Sequence, residues 1–396
     1  MATKWNSVIL LSFSQALFQT ASILVMTLSG MLGLELSTDK SMATLPIAMI
    51  SVGTAIAMIP ASLMIRRMGE RNGFMIGTLF GIIAGLLAYY AVVHRSFSLF
   101  VVANMLVGCH QGFAQYYRFA AADSVPQASK GKAISFVMAG GVVAAIAGPN
   151  LAKYTKPMGI IPFAYSYLSI TIISLLALMI IFSLKLQKPL SSKGVQQSQS
   201  GRPLREILSN RQTIAALVSS AVGYSVMTMI MTATPIAMHH CGHSSNDSAT
   251  VIQWHVLGMF VPSFFTGTLI QKFGVYKIIL TGVFILMLHV TLALNGTDFM
   301  HFISGLILLG IGWNFMFIGG TTLLTIVYLP EEKEKTQALH DFLVFTVMSV
   351  SSFWEGGLLN HWGWQGVNLA VLPMLGIAMI TFVVNISRKV KIRPMK

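Results

Sequence analysis

Twelve times along this chain a run of roughly 20 or more residues passes with few or no charges and is closed off by lysine, arginine, proline or glycine. A helix needs about 20 apolar residues to cross a hydrocarbon core of about 30 Å. In hydrocarbon every backbone N–H and C=O must be bonded within the protein, so only helices and closed barrels span it. Continuous apolar runs of this length, instead of short alternating strands, select helices. The runs are Val8 to Leu32, Met42 to Ile65, Gly73 to Val93, Phe97 to Ala122, Ala133 to Ala152, Ile160 to Leu184, Ile214 to Met238, Val251 to Ile270, Ile278 to Leu294, Phe302 to Ile326, Leu339 to Leu358 and Val367 to Ile386.

Composition agrees with a membrane chain. Of 396 residues 55% are apolar and 10% charged, against roughly a quarter charged in a soluble domain. Disordered, collagenous and disulfide-built classes are excluded by the apolar content, the aperiodic glycine and the two cysteines. Cys109 in a span and Cys241 in a distant polar stretch are expected to stay unbridged. A net charge of +14 could point to nucleic acid, but the basic residues fall in short runs between spans, which sets topology. The first run is long, holds Ser12, Gln15 and Gln19, and lacks a small-residue cleavage site, so it reads as a retained helix.

Alternate loops and tails divide the basic residues twenty-one against four, the minority being Lys40, Arg95, Lys153 and Lys156, with Arg118 left inside a span. That asymmetry places both termini in the cytoplasm. The polar stretch 185–212 reads as a cytoplasmic linker between an N-terminal bundle, 1–184, and a C-terminal bundle with a basic tail, 213–396. Features recur between the halves. Gly69 matches Gly274 at an offset of 205; Gly108 matches Gly312, and Pro126 matches Pro330, at 204.

Ser62-Leu63-Met64-Ile65-Arg66-Arg67-Met68-Gly69-Glu70-Arg71 keeps the second glycine and the final arginine of the pattern Gly-x-Leu-x-Asp-x-x-Gly-x-Arg, with Arg66 in the place of the aspartate. The later stretch from Gly267 to Gly274 keeps both glycines and again lacks the acid. With Gly148-Pro149 in the fifth run, these features resemble the major facilitator superfamily, and the segments from His255 to Gly267 and from Gly312 to Gly320 are similar to a bacterial subgroup without a defined substrate. The resemblance implies an all-α membrane protein of two pseudo-symmetric six-helix bundles and a secondary transporter of the inner membrane working by alternating access. It further implies that helices one, four, seven and ten line the central pathway. Gly148-Pro149 is similar to part of the motif of drug and metabolite antiporters, so efflux stands beside import and uniport. A membrane-embedded enzyme is the reading from another class, disfavoured because no nucleophile elbow, HExxH helix or phosphate-binding glycine loop occurs.

Polar side chains within spans normally face the bundle interior or a wet cavity. Asn104, Gly108, Gln111, Gln115 and Arg118 follow one another at four, three, four and three residues and so share a helix face. Ser12, Gln15, Gln19 and Ser22 repeat that pattern in the first run; Ser225, Thr228 and Thr232 in the seventh; Asn314, Phe317 and Thr321 in the tenth. The substrate-facing candidates are Gln15, Gln19, His110, Gln111, Gln115, Thr228, Asn314 and Phe317. For proton coupling or gating the candidates are Arg66, Arg118, Asp123, Asp341, Glu355 and His255. Arg66 is expected to pair with Asp341 or Asp123, and Glu355 is at a depth to meet His255. Packing by small polar residues is the competing account of these stripes. His239-His240-Cys241-Gly242-His243 has metal-compatible side chains but no matching second cluster, and reads as a solvated loop. The expected solute is neutral or weakly anionic and organic, handled by a monomer with no cofactor, no metal and no nucleic-acid partner, with protons as the proposed driving ion.

Overall fold

The computed structural model describes residues 2–38, 42, 45–184 and 201–387. Most of the expected linker and the basic tail therefore lie outside the described residues. All regular structure among the described residues is helical. In chain order the helices are α1 (Ala2–Leu36), α2 (Leu45–Met68), α3 (Glu70–Val93), α4 (Phe97–Ala114), α5 (Tyr117–Asp123), α6 (Lys130–Thr155), α7 (Ala164–Phe182), α8 (Leu204–Ser209), α9 (Arg211–His240), α10 (Ser245–Phe260), α11 (Ser263–Phe273), α12 (Val275–Asn295), α13 (Phe299–Val327), α14 (Lys333–Ala370) and α15 (Leu372–Ser387). Eleven spans among the described residues are long and apolar enough to cross a membrane. The remaining expected run, 339–358, lies on α14, whose path bends at Gly363 with φ 63°. Cys109 and Cys241 are both free thiols.

The chain forms two compact units, each taking in a short segment from the other half of the sequence. Unit 1 comprises residues 1–126, 136–200 and 331–342; unit 2 comprises 127–135, 201–330 and 343–396. In each unit one helix pair meets with backbones nearly touching. A Cβ on Gly53 of α2 would stand 2.1 Å from the Met105 carbonyl oxygen, and one on Gly108 of α4 would stand 2.1 Å from that of Ile50. Unit 2 repeats the contact between α10 and α13. A Cβ on Gly258 would lie 2.8 Å from the Ile307 oxygen, and one on Gly310 would lie 2.6 Å from that of His255. Gly310 is thus the packing counterpart of Gly108, correcting the match to Gly312, which faces Leu286 of α12 instead. Close approach of small residues is how helices associate where no hydrophobic force separates protein from lipid.

The other two repeats hold in backbone detail. Gly69 has φ 86° and ψ 158°, and Gly274 has φ 89° and ψ 149°, a conformation essentially confined to glycine. Short 3₁₀ turns at Gln127–Ser129 and Pro330–Glu332 then precede α6 and α14.

Candidate functional site

The fourth span is interrupted. The Tyr116 N–H donates to the Phe113 carbonyl at 3.1 Å and the Phe119 N–H to that of Tyr116 at 3.1 Å. These i to i−3 bonds tighten the turn and advance the residues beyond it by part of a turn. The expected five-residue stripe is therefore not one straight face. Gly108 packs on α2, and Asn104 accepts from the Ser29 hydroxyl at 2.9 Å while its amide donates to the Phe100 carbonyl at 2.9 Å. Gln111 and Gln115 are half-buried.

Arg118, beyond the break, ends in a closed polar cluster within unit 1. Its Nη2 donates to Asp341 Oδ1 at 2.6 Å, with side-chain exposures of 3% and 0%. Its Nη1 donates to Gln115 Oε1, and its guanidinium lies 4.6 Å from the Phe119 ring centroid. Asp341 Oδ1 also accepts from His340 Nδ1 at 2.7 Å, whereas Asp341 Oδ2 is buried with no hydrogen-bond partner. Two charges removed from water attract strongly but lose hydration of comparable size. Such a pair therefore marks a specific docking point better than it marks stability.

A second, wetter cluster flanks the first. Lys333 Nζ lies 2.5 Å from Glu70 Oε1 and 3.1 Å from Asp123 Oδ2. Burial alone would lower the Lys333 ammonium, but the Glu70 and Asp123 carboxylates more than offset this and hold it above its ordinary value. The Ser62 hydroxyl donates to the Glu334 backbone carbonyl at 3.0 Å. Segment 331–342 is thereby fastened to α2, α3 and α5. Arg66 is exposed, and its expected acids are held by Arg118 and Lys333. The pairing expected of Arg66 is therefore made by Arg118 and Lys333 instead. Nothing local in the sequence marks Lys333, Glu70 and His340 as partners, although Lys333 directly follows the repeated proline turn.

Unit 2 gathers aromatic rings. Trp313 and Phe317, four apart on α13, stack with centroids 5.1 Å apart at 14°. Tyr224 of α9 meets both edge-on, at 5.6 Å and 5.3 Å, and lies 5.3 Å from Phe345. Trp313 and Phe317 are buried and Tyr224 is half-buried. The Trp313 Nε1, Ser225 Oγ and Thr321 Oγ1 atoms are buried without hydrogen-bond partners. Thr228, one turn beyond Tyr224, is half-buried.

Asn314 departs from the expected role. It is fully buried, and its Nδ2 donates to the Met259 carbonyl and to Ser263 Oγ, both at 2.6 Å, while its Oδ1 accepts from the Thr266 hydroxyl at 2.7 Å. Pro262 separates α10 from α11 there, and the amide bridges the break with both of its N–H donors spent and its side chain fully enclosed, which makes it a structural group. His110 is enclosed within unit 1, 5.2 Å from the Phe18 ring and 2.5 Å from where a Gly81 Cβ would stand. His255 Nδ1 bonds the Leu306 carbonyl at 2.8 Å; the Glu355 side chain falls outside the described residues. His289, inside an apolar run, lies 2.7 Å from the Gly305 carbonyl oxygen and 3.1 Å from Asn368 Oδ1. Gln15 is buried and Gln19 half-buried on α1.

Comparison with known proteins places this architecture. The Major Facilitator Superfamily model matches residues 9–252 and 216–394. The chain is 39% identical over 387 residues to the riboflavin transporter RfnT of Brucella anthropi, covering 97% of this chain and 96% of that one. It is 25% identical over 371 residues to YddS of Bacillus subtilis, named as an uncharacterized MFS-type transporter, covering 89% and 85%. Among solved structures it is similar to the E. coli fucose:proton symporter FucP, with a TM-score of 0.77 at 16% identity over 96% of this chain and 99% of that one. It is also similar to the human organic anion transporter MFSD10, with a TM-score of 0.79 at 12% identity over 96% and 99%. These two likenesses speak to fold alone. Matched along nearly its whole length by the family model and by a relative of high identity, the chain belongs to the Major Facilitator Superfamily and is a secondary transporter, not an enzyme.

Proposed function

We propose that this protein carries riboflavin or a closely related flavin across the bacterial inner membrane by alternating access, as a monomer with both termini in the cytoplasm and with protons as the driving ion. The observation that carries the substrate is the 39% identity to a riboflavin transporter over 97% of the chain. The chemistry of the chain supports it. A flavin is an uncharged, planar, three-ring heteroaromatic with a polyhydroxyl tail, which suits a solute without strong fixed charge. The half-buried Gln19, Gln111, Gln115 and Thr228 offer amide and hydroxyl groups without net charge. Tyr224 offers an aromatic face backed by Trp313 and Phe317. Gly148 of the Gly148-Pro149 pair packs on α1, where a Cβ would lie 2.8 Å from Ile23 Cγ2, and efflux stands as the alternative direction of transport.

The test is growth and labelled-riboflavin uptake in a bacterial host lacking both riboflavin synthesis and its own importer. Rescue that a protonophore abolishes is the expected result. Gln111→Ala with Gln115→Ala should weaken apparent affinity roughly tenfold to hundredfold, the effect of losing about 1 to 3 kcal/mol of buried hydrogen bonding. No uptake at verified membrane abundance would overturn the substrate, and wild-type uptake by the double variant would overturn the glutamine assignment.

A further inference from the structure

We propose that the cavity where α1 and α3 end beside the α6–α7 connection is a binding site for a zwitterionic phospholipid, one whose headgroup carries a phosphate and a primary ammonium. The cavity measures about 280 Å³, and all of its lining belongs to unit 1. Leu32 and Leu36 of α1, Val92 and Val93 of α3 and the turn 160–162 give it aliphatic walls. Its charged lining is one residue of each sign, Glu35 and Arg95. Arg95 Nη2 lies 3.3 Å from Glu35 Oε1, with side-chain exposures of 73% and 47%. A single contact at that exposure is weak, and it leaves most of the guanidinium N–H donors and the second carboxylate oxygen to spare. A headgroup that presents its phosphate to Arg95 and its ammonium to Glu35 leaves neither charge unpaired.

The backbone holds this arrangement under strain. Among the described residues, Arg95 at φ 51° and Phe163 at φ 68° are the two non-glycine residues with positive φ. Arg95 lines the cavity, and Phe163 directly follows Pro162, which also lines it. The Arg95 N–H donates to the Val92 carbonyl at 3.2 Å and the Ser96 N–H to that of Ala91 at 2.8 Å, the two bonds that close a helix end around a left-handed residue. Glycine is the ordinary occupant there. Arginine in its place supplies a guanidinium, and strained positions of this kind gather where a ligand is gripped. The Phe163 N–H closes the other turn on the Lys156 carbonyl at 3.0 Å.

The surroundings select a lipid over a free solute. Tyr90 of α3, Tyr154 of α6 and Tyr165 of α7 stand exposed near the same helix ends, and phenols collect at the boundary between hydrocarbon and water. Met158 and Ile160 in the connection are 50% and 100% exposed. Apolar side chains so exposed beside aliphatic walls suit an acyl chain that continues from the headgroup. Lys153, exposed on α6, carries charge near this end of the unit but stands outside the cavity lining.

The test needs neither the transported solute nor an orientation in the membrane. The full chain is reconstituted in nanodiscs holding equal amounts of phosphatidylethanolamine and phosphatidylcholine with the same acyl chains, then released, and the retained lipids are counted by native mass spectrometry. The headgroups differ in that choline has no N–H to give Glu35. Phosphatidylethanolamine should be retained over phosphatidylcholine by about two- to fivefold, the range of a solvent-exposed charge contact. Glu35→Gln should bring the two lipids level. Arg95→Gly, which seats glycine where the backbone favours it, should keep the fold and lower retention of both lipids by a similar factor, since both carry the phosphate. Lys153→Gln should change neither. Equal retention by the wild type, a preference kept by Glu35→Gln, or retention unchanged in Arg95→Gly would overturn the site. A loss in Lys153→Gln as large as in Arg95→Gly would replace the cavity with a general basic surface. Soluble glycerophosphoethanolamine at the same concentration should not displace the lipid, and displacement would overturn the lipid in favour of a free solute.

Discussion

Replacing Asn314 by alanine separates a structural amide from a solute-binding one. The side chain is fully buried and holds three partners across the gap between α10 and α11: the Met259 carbonyl, Ser263 Oγ and the Thr266 hydroxyl. The three losses are unequal. The Thr266 hydroxyl keeps its bond to the Pro262 carbonyl at 2.8 Å, and a serine hydroxyl can rotate toward its own helix. The Met259 carbonyl at the break is left with nothing in reach of the amide it loses. One buried acceptor stripped of its partner costs about 1 to 3 kcal/mol. Hydrogen bonds measured within membrane bundles average nearer 0.6 kcal/mol, because the unfolded chain in lipid finds other partners. A destabilisation of about 1 to 2 kcal/mol is therefore expected, read as a lower denaturing-detergent midpoint in mixed micelles. Combining Asn314→Ala with Ser263→Ala should cost less than the sum of the two, since they share a bond. Apparent affinity for the solute, corrected for folded protein, should not change. Unaltered stability with a tenfold weaker affinity would refute the bridging role and return Asn314 to the transport pathway.

Two further outcomes follow from the packing and the charges. Gly108→Ala puts a methyl 2.1 Å from the Ile50 carbonyl oxygen, where an ordinary C···O contact is about 3.3 Å, so α2 and α4 must part by about 1 Å; folded yield in the membrane should fall severely, and near-normal yield would show that the seam can give. For Lys333, whose folded value lies above its ordinary one, the ion-pair contribution is fully present below about pH 10 and is lost only as pH rises through the elevated folded value. A stability difference between wild type and Lys333→Met should accordingly stay constant from about pH 6 to about pH 9 and shrink only at stronger alkalinity; a difference that vanishes on acidification within that range would contradict the assignment.

What the sequence alone determined is the part that the bilayer imposes residue by residue. Helix length, apolarity and backbone self-satisfaction act locally, so the spans are legible as runs, and the repeat is legible where the backbone itself demands a residue, as at Gly69 and Gly274 with their positive φ. The fourth-span stripe shows where that legibility ends. Periodicity assumes an unbroken helix, yet i to i−3 bonds at Tyr116 and Phe119 re-aim Arg118, and neither those bonds nor the partner it reaches 223 positions away has a local signature. Asn314 and Phe317 share a sequence stripe, but the amide bridges a helix break while the ring joins Trp313 and Tyr224. Arg66 and Lys333 carry the same charge at the ends of spans, and only the docking of segment 331–342 makes one an exposed cation and the other the shared partner of Glu70 and Asp123. Which polar group meets which depends on helix rotation, breaks and close approach across distant segments, and these are properties of the packed structure.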